Sequence, residues 1–431
     1  MSFNQYTWDL YKQTTIGIEM IKYFSDAGGY VLFKDYCPYA NFIPEDLYND
    51  WLENIYCYGV SDYDHPSSLE EAKDLYISLI TLGIRVEGQQ WLPANDFKNM
   101  LGIIQPMSYV LSQFAPEYFF PYLFLCRIFE LNKIADFFNI DLPNIPKRTD
   151  YKGRCMYYWE LCEVFYLFRK ENGLSPADLW SFLYDFAPNN LPSEKIDMPK
   201  PSQVWFIGGR LYQEDKSLES KFWQSSPETK KGDILVHYET SPISAITCIE
   251  TSLTDGVIDP LFRYYGCIYI GNRINIPHIT LKELQTDEYF FKHPLVRKNF
   301  QGVNGWSVNS ENYSELLRMI KTKGFDIEVL PKLYAPTLPK DVIIEYEHDV
   351  EQQLLEPLLN SMGWYENKDF IRQLPIQAGR GHRIFPDYAL HYGNKPNEER
   401  AKVLIEAKLC MRNNKEREEA YLQARSYARL L

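Results

Sequence analysis

Glu406 and Lys408 stand two residues apart in VLIEAKL, a run otherwise as apolar as the centre of a sheet. Side chains alternate along a strand, so Val403, Ile405, Ala407 and Leu409 share one face, and Leu404, Glu406, Lys408 and Cys410 share the other. Charges on an internal strand are costly unless they are paired or hold a metal. Two readings follow. Either the pair neutralises itself on an edge strand, with Asp387 an ordinary turn residue, or it is part of a site. Asp387, nineteen residues upstream in FPDYAL, supplies a second carboxylate, and Glu347 supplies a third. Mg²⁺ prefers oxygen ligands and commonly binds through one or two carboxylates plus substrate phosphate. Such an ion lowers the pKa of bound water and offsets the charge that develops on a phosphodiester under attack. Lys408, on the same strand face as Glu406, can orient that water or stabilise the charge. Gln423 and Tyr427, four apart on one helical face, can orient Lys408 or contact the phosphate.

These residues need a scaffold, and the last segment, 338–431, reads as one. A helix over DVIIEYEHDVEQQLLEPLLNSMGW precedes strands at RIFPDYALHY and KVLIEAKL, and EREEAYLQARSYARLL forms a closing helix. The order helix–strand–strand–helix is α/β. The charged stretch HYGNKPNEERAK between the strands fits a hairpin loop.

The run Glu347, Pro386-Asp387, Glu406-Ala407-Lys408, then Gln423 and Tyr427, resembles the PD-(D/E)xK nuclease superfamily. Within it, the run resembles the N-terminal nuclease domain of type I restriction subunits, whose first helix is similar to LLEPLLNSMGW. The likeness covers about 95 residues. It implies Asp387, Glu406 and Glu347 as metal ligands, Lys408 and Gln423 as catalytic partners, and Mg²⁺ (Mn²⁺ as a substitute) as cofactor. It also implies at least one further strand, so ending at Leu431 means either a short sheet or a fragment.

Upstream, residues 204–325 read as short strands, VWFIGGRLY, GDILVHYE, AITCIETSL and YGCIYIG, suggesting a small β-barrel with accessory helices. With Trp223, PHITLKEL and RKNFQGVNGWSVNSENYSELL, this segment resembles EVE-type domains of the PUA-like group, relatives of YTH domains. The resemblance implies a pocket for a flipped-out, often modified base, which needs aromatic faces to stack on and polar groups to read its edge. Trp223, Tyr238, Tyr264, Tyr265 and Trp306 are the candidate walls, Gln301 and Asn304 the candidate edge contacts, and Arg297 and Lys298 the candidate phosphate contacts. Trp205 reads as core, His237 and His278 as structural, and Trp223 and the Phe300–Trp306 loop as pocket or packing in equal measure.

Residues 1–195 read as helical, with Ser68 and Ser175 as N-caps, Pro176 at a first helical position, Gly173 ending a helix, and aromatic stripes at core spacing. EYFFPYLFLCRIFELNKIADFF is expected to be one of these helices. Net charge is −13, of which −11 falls in residues 1–200 and −1 in each of 201–335 and 336–431. The first segment is therefore a poor phosphate-binding surface. It could instead supply a homodimer contact, since one nuclease site cuts one strand. The eight cysteines show no CxxC pair or Cys/His metal spacing, which favours reduced thiols in a cytoplasmic protein. No apolar run is long enough for a membrane span.

The expectation is a multidomain α+β chain: helical region, PUA-like barrel, and α/β nuclease-like domain. Its function would be a modification-dependent DNA restriction endonuclease. The rivals are a reader whose nuclease-like segment only clamps nucleic acid, and an RNA-directed protein.

Overall fold

The computed structural model describes all residues except 1–2, 38–39, 41–42, 83, 87–89, 193–197, 211–219, 334–341, 380–381, 396–398, 412–413 and 431. The chain is mixed α/β, with an N-terminal helical region and a curled half-barrel sheet. It divides into two compact units. The first is Met1–Ile196 with Phe222–Pro227 and Val257–Cys267, and the second holds the remainder. Among the described residues no helix is long and apolar enough to cross a membrane.

In the first unit the local signals act as expected. The Ser68 hydroxyl caps the helix Leu69–Leu82 by accepting from the Glu71 N–H, and Ser175 closes a capping box with Asp178 ahead of Pro176. Gly173, at φ +62°, follows the helix Tyr151–Glu171 in the left-handed conformation that glycine tolerates. Trp8, Tyr76, Tyr158 and Trp159 are fully buried, so these stripes are core. Each such side chain contributes about 1.5–3 kcal/mol through burial.

One helix is half its expected length. Only Ile128–Phe138 is helical, while Pro116–Arg127 is irregular although Phe119, Phe120, Tyr122 and Phe124 are buried. Pro121 has no N–H to give a helix ladder. The next two N–H groups go to side chains, Tyr122 to Ser108 Oγ at 2.7 Å and Leu123 to the Tyr184 hydroxyl at 3.2 Å. The loop Val257–Cys267 folds with this unit because the buried Arg154 guanidinium donates to the carbonyls of Pro260 and Phe262 at 2.8 and 2.7 Å.

Of the seven strands of the larger sheet among the described residues, five are β1 (Val204–Gly209), β2 (Ile234–Glu239), β3 (Ala245–Ser252), β4 (Gly266–Thr280) and β5 (Trp306–Val308). Their spatial order is β4-β3-β2-β1-β5. β1 and β2 are parallel, with Val204 opposite Ile234, and the other neighbours are antiparallel. Val204, Phe206, Ile234 and Val236 pack against Leu295, Phe300, Leu316 and Ile320 from the segments that cover the sheet. Trp205 is buried and donates from Nε1 to Asp233 Oδ2 at 2.9 Å, as its core assignment requires.

The C-terminal segment of the second unit builds β6 (Phe370–Arg372), β7 (Tyr388–Leu390) and β8 (Val403–Ile405) in the order β6-β7-β8, all antiparallel. The Gly393–Arg400 bridge closes the expected hairpin. The first helix starts at Glu347 rather than in the DVII run, because the Asp349 carboxylate accepts from the N–H groups of Glu345 and Tyr346 and caps it there. The expected internal strand is an edge among the described residues, and its regular pairing ends at Ile405. Glu406 and Lys408 lie just past that end.

Candidate functional site

Asp387 immediately precedes β7 and Glu406 immediately follows β8, and these strands pair with Tyr388 opposite Ile405. That register sets the two motif halves side by side. The Ala407 N–H, between Glu406 and Lys408, donates to Asp387 Oδ2 at 2.7 Å. Lys408 Nζ lies 3.3 Å from Glu347 Oε1 and 3.5 Å from Glu406 Oε1, so it joins the first helix to the strand end. Gln423, on the closing helix Asn414–Ala428, donates from Nε2 to the same Glu406 Oε1, and its Nε2 lies 3.1 Å from the Tyr427 hydroxyl. Glu347, Asp387, Glu406, Lys408, Gln423 and Tyr427 therefore form one connected cluster drawn from two helices and two strand ends.

The cluster carries more negative than positive charge. Burial and then the field of Asp387 raise the Glu406 carboxyl above the ordinary range, with Lys408 opposing. The side chain of Glu406 is 8% exposed, and its Oε2 is buried with no hydrogen-bond partner among the described residues. Burial lowers the Lys408 ammonium, but its hydrogen bond to Glu347 and the charges of Glu347 and Glu406 outweigh it, and the net shift is upward.

Sequence reasoning missed the surrounding support. Glu351, one helical turn beyond Glu347, is raised by burial and then by Asp387, so it shares the same field. Glu356 accepts from Arg372 Nη1 at 2.9 Å and from the Tyr388 hydroxyl at 3.3 Å, which buttresses the helix against β6 and β7. The spacing of Glu347, Glu351 and Glu356 was the signal for a shared helix. Their partners on the strands had none in the sequence.

The predicted base-pocket residues fall in two places. Trp223 and Tyr264 belong to the first unit, and Tyr238, Gln301, Asn304 and Trp306 to the second. Tyr238 is buried and stacks face-on against Phe300 at 4.0 Å between centroids. The loop Gln301–Gly305 lies over the ends of β1 and β2, where Asn304 Oδ1 accepts from the Gly208 N–H at 2.7 Å. A Cβ on Gly208 would sit inside contact distance of Val303 Cγ1 and 3.0 Å from the Tyr238 carbonyl oxygen. Trp306 is half-buried opposite Phe206, and Gln301 is exposed. Asn299 and Phe300, neither a glycine, both have positive φ, 51° and 58°.

Among the described residues, the one trio of metal-ligating atoms within 4.8 Å of one another is His237, Cys248 and Glu250 in the barrel core. It was not foreseen as a group. Glu250 Oε2 lies 2.9 Å from His237 Nδ1, and Arg273 donates to Oε1 at 2.7–2.8 Å. Burial pushes the Cys248 thiol up to about 12. Burial also opposes ionisation of Glu250, but His237 and Arg273 outweigh it and hold the carboxyl below its ordinary value. With a guanidinium already on the carboxylate and a thiol held protonated, the group is a buried polar network that neutralises Glu250 internally.

No protein-family model matches the chain, and no curated protein matches it. Solved structures matched in shape include the NMR structure of Rpa0253 from Rhodopseudomonas palustris, at 14% identity and TM-score 0.25, over 28% of this chain and 94% of that one. A hypothetical protein from Leishmania major matches at 12% identity and TM-score 0.24, over 29% and 98%. Protein Atu2648 from Agrobacterium tumefaciens matches at 17% identity and TM-score 0.26, over 31% and 100%.

Proposed function

We propose that this chain is a modification-dependent DNA endonuclease of the PD-(D/E)xK type, with a PUA-like barrel reading a flipped base. The observation that carries the reading is the convergence on Glu406: Lys408 and Gln423 meet the same carboxylate oxygen while Asp387 is tied to the Ala407 N–H between them. A surface ion pair would need none of the other partners.

By donor type the set suits Mg²⁺, although Asp387, Glu406 and Glu347 do not bring three ligand atoms within 4.8 Å of one another in this structure. Asp387, Glu406 and Glu347 offer only oxygen, and the orphaned Glu406 Oε2 is the kind of buried acceptor that a cation satisfies. When bound, the ion would supply a more acidic water and charge compensation at the phosphate. The chain's own residues do the rest. Gln423 holds the Glu406 carboxylate in orientation, and the Ala407 N–H does the same for Asp387. Lys408 keeps a proton and a positive charge beside the attacked phosphate, supported by Glu347.

On the reading side, Trp306, Gln301 and Asn304 form the proposed contact loop, while Tyr238 and Phe300 serve as its floor. Positive φ at Asn299 and Phe300 is backbone strain of the sort that persists where a loop is held for binding. Cutting both strands would take a second copy of the chain.

The test is incubation with Mg²⁺ of modified DNA, unmodified DNA and RNA. Selective cleavage of modified DNA supports the proposal. Binding without cleavage favours a non-catalytic reader, and cleavage of RNA alone favours an RNA-directed protein.

A further inference from the structure

Two ion pairs join the turn ahead of β2 to the C-terminal sheet, and a third joins the loop after β3 to it. Lys230 Nζ pairs with Asp369 Oδ1, the two side chains being 14% and 4% exposed. Lys368 Nζ lies 3.0 Å from Asp255 Oδ2, and Lys402 pairs with Glu228.

Both ends of the central pair are anchored. On the barrel side, the Lys230 N–H donates to Asp233 Oδ2 at 2.8 Å, and Asp233 also receives Trp205 Nε1 and the Gln203 N–H. On the other side, Asp369 Oδ2 accepts from the Tyr365 N–H at 3.0 Å, and its carbonyl accepts from the His391 N–H at 3.0 Å. Asp369 immediately precedes β6, the neighbour of the strand that Asp387 opens. Lys402 immediately precedes β8, the strand that Glu406 immediately follows. One turn thus grips the starts of both outer strands of the catalytic sheet.

A buried ion pair adds little net stability over an apolar replacement, and its best-attested use is to specify one geometry. The geometry at stake here is legible in β2. That strand begins at Ile234, next to the turn, and carries Tyr238 near its other end, below the Gln301–Gly305 loop. Six strand residues span about 20 Å. The proposed reading loop and the grip on the nuclease strands therefore sit at opposite ends of one strand.

We infer that the turn Glu228–Asp233 is a spacer clamp: it fixes the nuclease sheet at a set distance from the reading loop, so cleavage falls at a set offset from the modified base. This rests on the endonuclease reading given above, but the clamp itself can be tested without cleavage. Spin labels at positions 301 and 425, with exposed Cys57 and Cys410 replaced by serine, report the distance across unit two by electron double resonance. The intact clamp gives one narrow distance distribution. K368A/K402A, which touches only the exposed sides of two pairs, broadens it, and adding K230M/D369N, which removes the buried pair without stranding a charge, broadens it at least twofold. A distribution already broad with the clamp intact, or one equally narrow in the quadruple variant, overturns the clamp. On DNA with one modified base, the parent chain cuts within one or two nucleotides of a single position, and the quadruple variant scatters its cuts over a full helical turn at a similar initial rate. Unchanged offsets in the variant overturn the inference. No cutting by either protein overturns the nuclease reading instead, and leaves the clamp to be judged by the distance distributions.

Discussion

The Ala407 N–H donates to Asp387 Oδ2 across 2.7 Å, fastening the residue between Glu406 and Lys408 to the carboxylate that opens the neighbouring strand. The bond is a direct consequence of the β7–β8 register, with Tyr388 opposite Ile405. It makes Asp387 and Glu406 neighbours despite nineteen intervening residues, and the predictions below depend on it.

Gln423 donates to Glu406 and lies beside the Tyr427 hydroxyl, so its role is to orient that carboxylate. Gln423→Ala should lower cleavage about 10–100-fold, the range typical of residues that support a metal ligand. Metal titration should show weaker Mg²⁺ binding with the fold intact by circular dichroism. Gln423→Glu should fall further, because it places a like charge against Glu406.

Glu406 is held above the ordinary carboxyl range by burial and by Asp387. Its folded state therefore binds a proton that its unfolded state has released, and this contribution to stability is lost as pH rises from the unfolded value through the folded one. Glu406→Gln removes the penalty. It should raise Tm at pH 7–8 and change it little near pH 4, while abolishing cleavage. For the parent chain, cleavage should fall with acidification at a pH above that of an ordinary glutamate, because the metal competes with that proton.

Tyr238 and Trp306 should separate under mutation, although both are aromatic residues of the barrel. Tyr238 is core, stacked on Phe300, so Tyr238→Ala should cost about 3–5 kcal/mol in denaturant unfolding. Trp306 is half-buried beside the contact loop, so Trp306→Ala should leave the barrel folded. It should weaken binding to modified DNA by the ~1–3 kcal/mol of one stacked base.

Gly208 lies where a side chain would strike Val303 and the Tyr238 carbonyl. Gly208→Val should destabilise the barrel by about 1–3 kcal/mol through overpacking. It should also displace the Asn304 loop and reduce discrimination between modified and unmodified DNA more than the rate of cutting.

What could be read from the sequence was what local chemistry fixes. Ser68 and Ser175 announced helix starts because capping is a matter of a few residues. Glu406 and Lys408 could be picked out because the strand period puts them on one face, and Asp387, Gln423 and Tyr427 because their order resembles the nuclease motif. Long-range partnerships gave no such signal. The PYLFL run looked helical until Ser108 and Tyr184, distant in sequence, took its N–H groups. Tyr264 lies in the loop 257–267, which Arg154 draws into the helical unit, a partnership that the local sequence does not announce. The charges of VLIEAKL lie past the paired end of the edge strand β8, and where pairing ends is a property of the whole sheet that VLIEAKL alone does not carry.

The central claim is that Asp387 and Lys408 act as one metal-dependent cutting site. Its most direct test is single-turnover cleavage of modified DNA in Mg²⁺ by the parent chain, Asp387→Ala and Lys408→Ala. The account predicts that the parent chain cuts and that each variant loses at least ~10²–10³-fold in rate while still binding the DNA. Cleavage that persists at the parent rate in both variants would contradict it.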